Sequence, residues 1–274
     1  MFTSNPFAEL SASIPTVYMQ GYIVVMILLV MGGTILDMLH KKSAQYFFEN
    51  AKKAQKSAKR SVTGGEKVAI ATSVLLKEVL TSGEFDNPRR RLSHLLTMWG
   101  TIIFIVTTAI MIFSPESTST LLPQLWHIGA LMLDVGGYWF WFFIRADVAA
   151  EGLSSFRLER ADLLILSLLA TSTFALIWSF TGGGVTVFFA LFILSSTVLF
   201  GGVYWSKFAH MFFKPAAAYQ KKIIMADGSR ENLPPDYDLT DPEVQRKFPD
   251  VPMYMGKNPP NMGLCIKAER ANHY

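Results

Sequence analysis

Two histidines carry the first suggestion of chemistry. His94 follows Arg89, Arg90 and Arg91 and opens a long apolar run. His210 closes another, in Ser206-Lys207-Phe208-Ala209-His210. Two neutral imidazoles on neighbouring helices can take both axial positions of one b-type haem, given an apolar slot between the helices. Arg90 and Arg91 could then pair with the haem propionates, and Gly100, Gly201 and Gly202 could leave room for the macrocycle. The plainer alternative makes both histidines interfacial tethers at helix ends, with the arginines only setting orientation.

A second set is His127, Asp134 and Tyr138. Seven residues separate His127 from Asp134, so the two share one helical face, two turns apart. An acid inside a membrane segment is costly enough to suggest function. With Tyr138 further along, this set could bind a quinone carbonyl and pass its protons. The competing explanation is that a neighbouring helix satisfies Asp134. His40, three residues after Asp37, fits a solvated helix end, and His273 falls in the polar tail.

The elements that must position these groups are long and apolar. Of 274 residues, 51% are hydrophobic and 17% charged, against roughly 25% charged in an average soluble domain. Mean hydropathy is +0.30, and the apolar residues are gathered in runs. This is the composition of an all-α integral membrane protein. Five transmembrane helices are expected in a bundle, over 19–39, 94–113, 125–144, 163–180 and 185–210, the last continuing as helix to Lys214. Residues 1–18 form a leader. The cytoplasmic loop 40–93 contains a short interfacial helix at 68–80, and the polar, proline-rich tail 216–274 reads as an extended arm that orders on a partner. Trp99, Trp126, Trp178 and Trp205 sit near span ends, as interfacial anchors do.

Lysine and arginine set the orientation. The loop between the first two spans, the loop between the third and fourth, and the tail are all basic; the leader, the 115–124 loop and the turn at 181–184 carry neither residue. Positive-inside then puts the amino terminus outside and the tail in the cytoplasm. The net charge of +4 is spread along membrane flanks, with no basic domain that would point to nucleic acid. The lone Cys265 excludes an internal disulfide, a Cys-only iron–sulfur site and a covalent haem attachment motif. No cleavable signal peptide is expected, because residues 1–18 lack a basic start.

Leu76-Lys77-Glu78-Val79-Leu80, the arginine-rich turn, Arg91-Leu92-Ser93-His94-Leu95-Leu96 with Gly100, and the closing Ser206–Pro215 stretch resemble the cytochrome b subunits related to the nitrate reductase gamma chain, including Qmo-type membrane subunits. The likeness covers residues 65–215. It implies haem ligation by His94 and His210. Two-haem members carry a second histidine about ten residues deeper, where this chain has Phe104, so one haem at most of that kind is implied. The whole chain is similar to the membrane anchors associated with adenylylsulfate reductase in sulfur-oxidising bacteria. That similarity rests on residues 1–10, on Gln124-Leu125-Trp126-His127-Ile128-Gly129-Ala130, on 136–145 and on 258–264. It implies the bacterial cytoplasmic membrane, a cytoplasmic iron–sulfur/flavin reductase as partner, and quinone as acceptor. The expected function is thus a non-catalytic subunit of an oxidoreductase complex, linking that reductase to the quinone pool, with one b-type haem. The alternatives are a non-redox tether and a small transporter. The transporter is disfavoured by the absence of broken helices and inverted repeats.

Overall fold

The computed structural model describes residues 2–85, 87–115, 119–145, 154, 156–229 and 241–247. The tail beyond Ser229, apart from 241–247, lies outside the described residues, and with it His273 and the 258–264 stretch. The described chain is all-helical, with no strand among its residues. Four helices are long and apolar enough to cross a membrane: Thr16–Lys41, Pro88–Phe113, Leu121–Ile144 and Arg160–Phe180.

In chain order the helices are α1 (Pro6–Leu10), α2 (Thr16–Lys41), α3 (Ser43–Lys56), α4 (Gly64–Ser73), α5 (Pro88–Phe113), α6 (Leu121–Trp139), α7 (Leu163–Phe180), α8 (Val187–Gly201), α9 (His210–Ala226) and α10 (Pro242–Lys247). Two of them run on as π-helical segments, α4 through Val74–Leu80 and α6 through Phe140–Ile144. Capping residues mark several starts. Asn5 and Asn87 accept backbone N–H groups ahead of a proline at the head of α1 and α5. Thr63 and Glu66 form a reciprocal capping box on α4. The Thr63 backbone N–H, and then Arg60, hold the Glu66 carboxyl below its usual range.

Side-chain contacts fix which helix ends lie together. Asn5 Nδ2 donates to Met111 O at 3.3 Å and Gln20 Nε2 to Ile112 O at 3.5 Å, so α2 begins where α5 ends. Phe7 packs on Trp126, Trp178 and Phe192, which adds the start of α6, the end of α7 and the start of α8. At the opposite end His40 meets Tyr204, Arg145 pairs with Asp162, and Lys214 pairs with Glu84. The long helices therefore alternate in direction, and the basic connections all collect at this second end.

The first end is closed by its own aromatic core. Phe7 and Leu10 of α1 are buried against Met111, Trp126, Trp178 and Phe192. Trp126 Nε1 donates to Thr108 Oγ1 and Trp178 Nε1 to Gly184 O, each at 2.8 Å. These two tryptophans are wholly buried; they are core residues, where the sequence pattern suggested interfacial anchors. The leader is a plug, and the turn beneath it runs through Gly182, Gly183 and Gly184 at φ of +94°, +69° and +73°, values a side chain strains to adopt.

The α5–α6 pair is the closest contact of the bundle. Gly100 faces Gly129, and Ser93 faces Gly136, seven residues along each helix. A Cβ on Gly129 would lie 2.8 Å from the Phe104 backbone nitrogen. Ser93 Oγ donates to Gly136 O at 2.8 Å. Small residues let two backbones touch where no hydrophobic force acts between helices. Gly100 thus serves helix packing and does not open a space.

Two expectations differ from the structure. The last apolar run is not one helix to Lys214. α8 ends at Gly201, a turn covers 202–209, and α9 begins at His210. At 1.5 Å per residue, the 15 residues of α8 rise about 22 Å, short of the roughly 30 Å hydrocarbon thickness. Residues 216–226, read as the start of an extended arm, are helical within α9. The short helix expected at 68–80 is present and longer, from Gly64 to Leu80.

Candidate functional site

The basic end is built from three helices outside the long bundle. Lys42 at φ +52° turns the chain from α2 into α3. Along α3, Phe47, Ala51 and the buried Ala54 take the covered side, and Phe48, Lys52, Lys53 and Lys56 are exposed. The α3–α4 link is fastened to the end of α9: Lys59 N and Arg60 N donate to Asp227 O, and Arg60 Nε to Ala226 O at 2.6 Å. α4 is fastened by Lys222–Glu78 at 2.9 Å, and the loop after it by Lys214–Glu84 at 2.7 Å. The result is one platform. Lys52, Lys53 and Lys56 are exposed on it and make no ion pair among the described residues.

His94 lies at the edge of this platform. Its Nδ1 is 2.9 Å from Ser82 Oγ. Ser82 is buried at φ +50°, a strained backbone for serine. The Phe85 ring stands 4.9 Å from the His94 ring and carries Arg90 and Lys214 over it, each 5.4 Å from its centroid. Arg91 Nε donates to Thr81 O at 2.8 Å. His210, Glu84, Lys214 and Arg90 are the titratable neighbours of His94. The two histidines are therefore at one level, as the sequence implied.

They do not, however, form a haem site as placed. His210 is exposed, and its Nδ1 closes onto the Lys207 carbonyl of its own turn. Phe85 and Ser82 fill the space beside His94. The large cavity of the bundle is lined by neither histidine. Arg90 is engaged by Phe85 and Arg91 by Thr81. Among the described residues no three His, Cys, Asp or Glu side chains gather at metal-binding spacing.

The second set divides. His127 is fully buried. Its Nδ1 lies 2.7 Å from Pro123 O and must donate, so Nε2 accepts from Ser179 Oγ at 2.9 Å in the neutral ring. Both nitrogens are used, and no ligand can reach them. Asp134 takes the Ser172 hydroxyl and, at 3.3 Å, Thr173 Oγ1. Thr173 Oγ1 is also 2.9 Å from Tyr138 OH, so Tyr138 donates to the threonine that donates to the acid. The neighbouring helix α7 thus satisfies both His127 and Asp134. Tyr138 is 38% exposed and stacks on Phe142.

The residues that sequence reading passed over line the main cavity, of about 320 Å³, between α2, α5 and α8. Phe7 and Met19 border it near the plugged end, and Phe208, Met211 and Phe212 near the basic end. Tyr22 stands in its wall, with its hydroxyl 2.7 Å from Ser196 Oγ. No single residue type announces such a space, because a lining of Met, Ile, Val and Phe reads as ordinary span.

No protein-family model, no curated protein and no solved structure matches this chain.

Proposed function

We propose that the chain is a membrane anchor and electron-transfer subunit, which holds a cytoplasmic iron–sulfur/flavin reductase against the membrane and links it to the quinone pool. The observation that supports this is the platform of α3, α4 and α9. It gathers free lysines at one end of a bundle whose other end carries no Lys or Arg and is sealed by α1. Positive-inside then makes the platform cytoplasmic, with α8 and its following turn completing a fifth crossing. The choice of reductase and of the bacterial cytoplasmic membrane is inferred from the resemblance to anchors of adenylylsulfate reductase alone. A reductase with an acidic docking face would be steered to such a surface.

The redox chemistry belongs to the carriers, and the protein supplies position. The chain itself is a non-catalytic subunit in this reading. No step is routed through a haem in this reading.

Membranes carrying the wild-type chain should retain co-expressed adenylylsulfate reductase through a low-salt wash and release it in high salt, because exposed charges are screened. Lys52→Glu/Lys53→Glu/Lys56→Glu should lower retention about tenfold or more, as reversal of rim charges costs several kcal/mol of complementarity. Unchanged retention by a correctly inserted triple variant would refute docking on α3.

A further inference from the structure

The cavity between α2, α5 and α8 is a slot and not a pocket. On α2 its wall runs from Met19 to Met31, a rise of about 18 Å for twelve residues. That exceeds half of the roughly 30 Å hydrocarbon layer. Its lining is apolar apart from the Tyr22, Thr108, Thr171 and Ser196 hydroxyls. Each of these already has a partner: Ser196 for Tyr22, Phe104 O for Thr108, Ser167 O for Thr171, and Phe192 O for Ser196. Nothing in the wall calls for a polar ligand at mid-depth.

Its ends differ. One is closed by Phe7 and by Ile112, both buried. The other ends at Met211 and Phe212, which are 46% and 54% exposed and sit in the first turn of α9, on the platform. The side is open as well. Ile27 and Met31 line the slot and are still more than half exposed, so a chain in the bilayer can slide in between α2 and α5.

We propose that this slot takes the isoprenoid tail of a quinone, with the ring at the open mouth on the platform side, beside Met211 and Phe212. The proposal rests on the quinone-linked reading above and names its site. The length argues for a polyisoprenoid over a phospholipid: an acyl chain stays within its own half of the bilayer, whereas the slot runs past the midplane. The closed far end sets the direction, and the mouth places the ring next to the docked partner. Asp134 and Tyr138 are then structural, since their seam lies between α6 and α7 and does not border the slot.

The test uses the purified full chain in nanodiscs, without any reductase. A photoreactive azido-benzoquinone with a geranyl tail is bound, flashed and mapped by peptide mass spectrometry. Label from the ring azide is expected at the mouth, on the 208–212 segment and on the facing Met31 and Phe200 regions of α2 and α8. Ala109→Phe, which places a ring in the slot, should reduce labelling about tenfold, equivalent to about 1.4 kcal/mol of lost affinity. Val135→Phe adds the same bulk on the exposed face of α6 and should label as wild type, which separates blockage from misfolding. Labelling that survives in folded Ala109→Phe would overturn the slot while leaving the quinone reading intact. Label centred on α6–α7 and lost with Asp134→Asn would also overturn it. Only phospholipid in the slot, with no quinone displacing it at any concentration, would remove the site altogether. Correct labelling here, with no quinone reduction once the reductase is added in a separate assay, would instead remove the functional reading.

Discussion

Gly129→Leu should abolish the folded protein. Even the single methyl of Gly129→Ala puts a carbon 2.8 Å from the Phe104 nitrogen and 3.0 Å from Gly100 O, and backbone cannot yield as a side chain can. The helices must part, and the whole α5–α6 seam loosens with them, including the Ser93–Gly136 hydrogen bond. Overfilling a packed site costs about 1–3 kcal/mol for small additions; the leucine adds three more carbons to a space that has none. Gly21→Ala is the control, since a Cβ there meets nothing within 4 Å, and alanine favours helix by about 1 kcal/mol over glycine. Size-exclusion profiles and thermal melts in detergent decide the matter. Gly129→Leu should run as aggregate, Gly129→Ala should melt earlier than wild type, and Gly21→Ala should not. A Gly129→Leu chain with wild-type melting would mean that α5 and α6 are not packed as described.

Arg145→Met should be nearly as damaging, for an electrostatic reason. Arg145 closes the basic end of the α6–α7 pair. It pairs with Asp162, and its guanidinium lies 4.1 Å from the Trp141 ring centroid. The two side chains are only 14% and 12% exposed. Removing one partner strands the other charge, at a cost of about 3–5 kcal/mol for a buried pair, less here for the residual solvent. Asp162 also accepts from the Glu159 N–H at 2.9 Å and so shapes the lead into α7. The double variant Arg145→Met/Asp162→Asn should recover most of the lost stability, because no unpaired charge remains. Equal melting of the single and double variants would show that the charge pair is not what holds this end.

These variants also show what could be read from the chain alone. The long helices were legible, because hydrocarbon thickness demands apolar runs and 163–180 matches α7 to the residue. The level of His94 with His210 was legible from alternation alone. Their surroundings were not. Ser82 and Phe85 reach His94 through a loop fold that no periodicity encodes. Gly201 and Gly202 looked like room for a cofactor, and instead mark where α8 stops. His127 was read as a quinone-binding residue, and the partner it has in the structure, Ser179, lies 52 residues on, where no local spacing points. α1 spans five residues, too few for any pattern, although its Phe7 and Leu10 seal the bundle.

The claim that the chain carries electrons, and does not merely tether, is tested most directly by quinone reduction in proteoliposomes. Adenylylsulfate reductase, held reduced by its own electron-donating substrates, should reduce bilayer quinone when the wild-type chain is present. The rate should fall to background without the chain, and by about tenfold with the Lys52→Glu/Lys53→Glu/Lys56→Glu variant. Full binding of the reductase with no quinone reduced would contradict the account and leave a tether in its place.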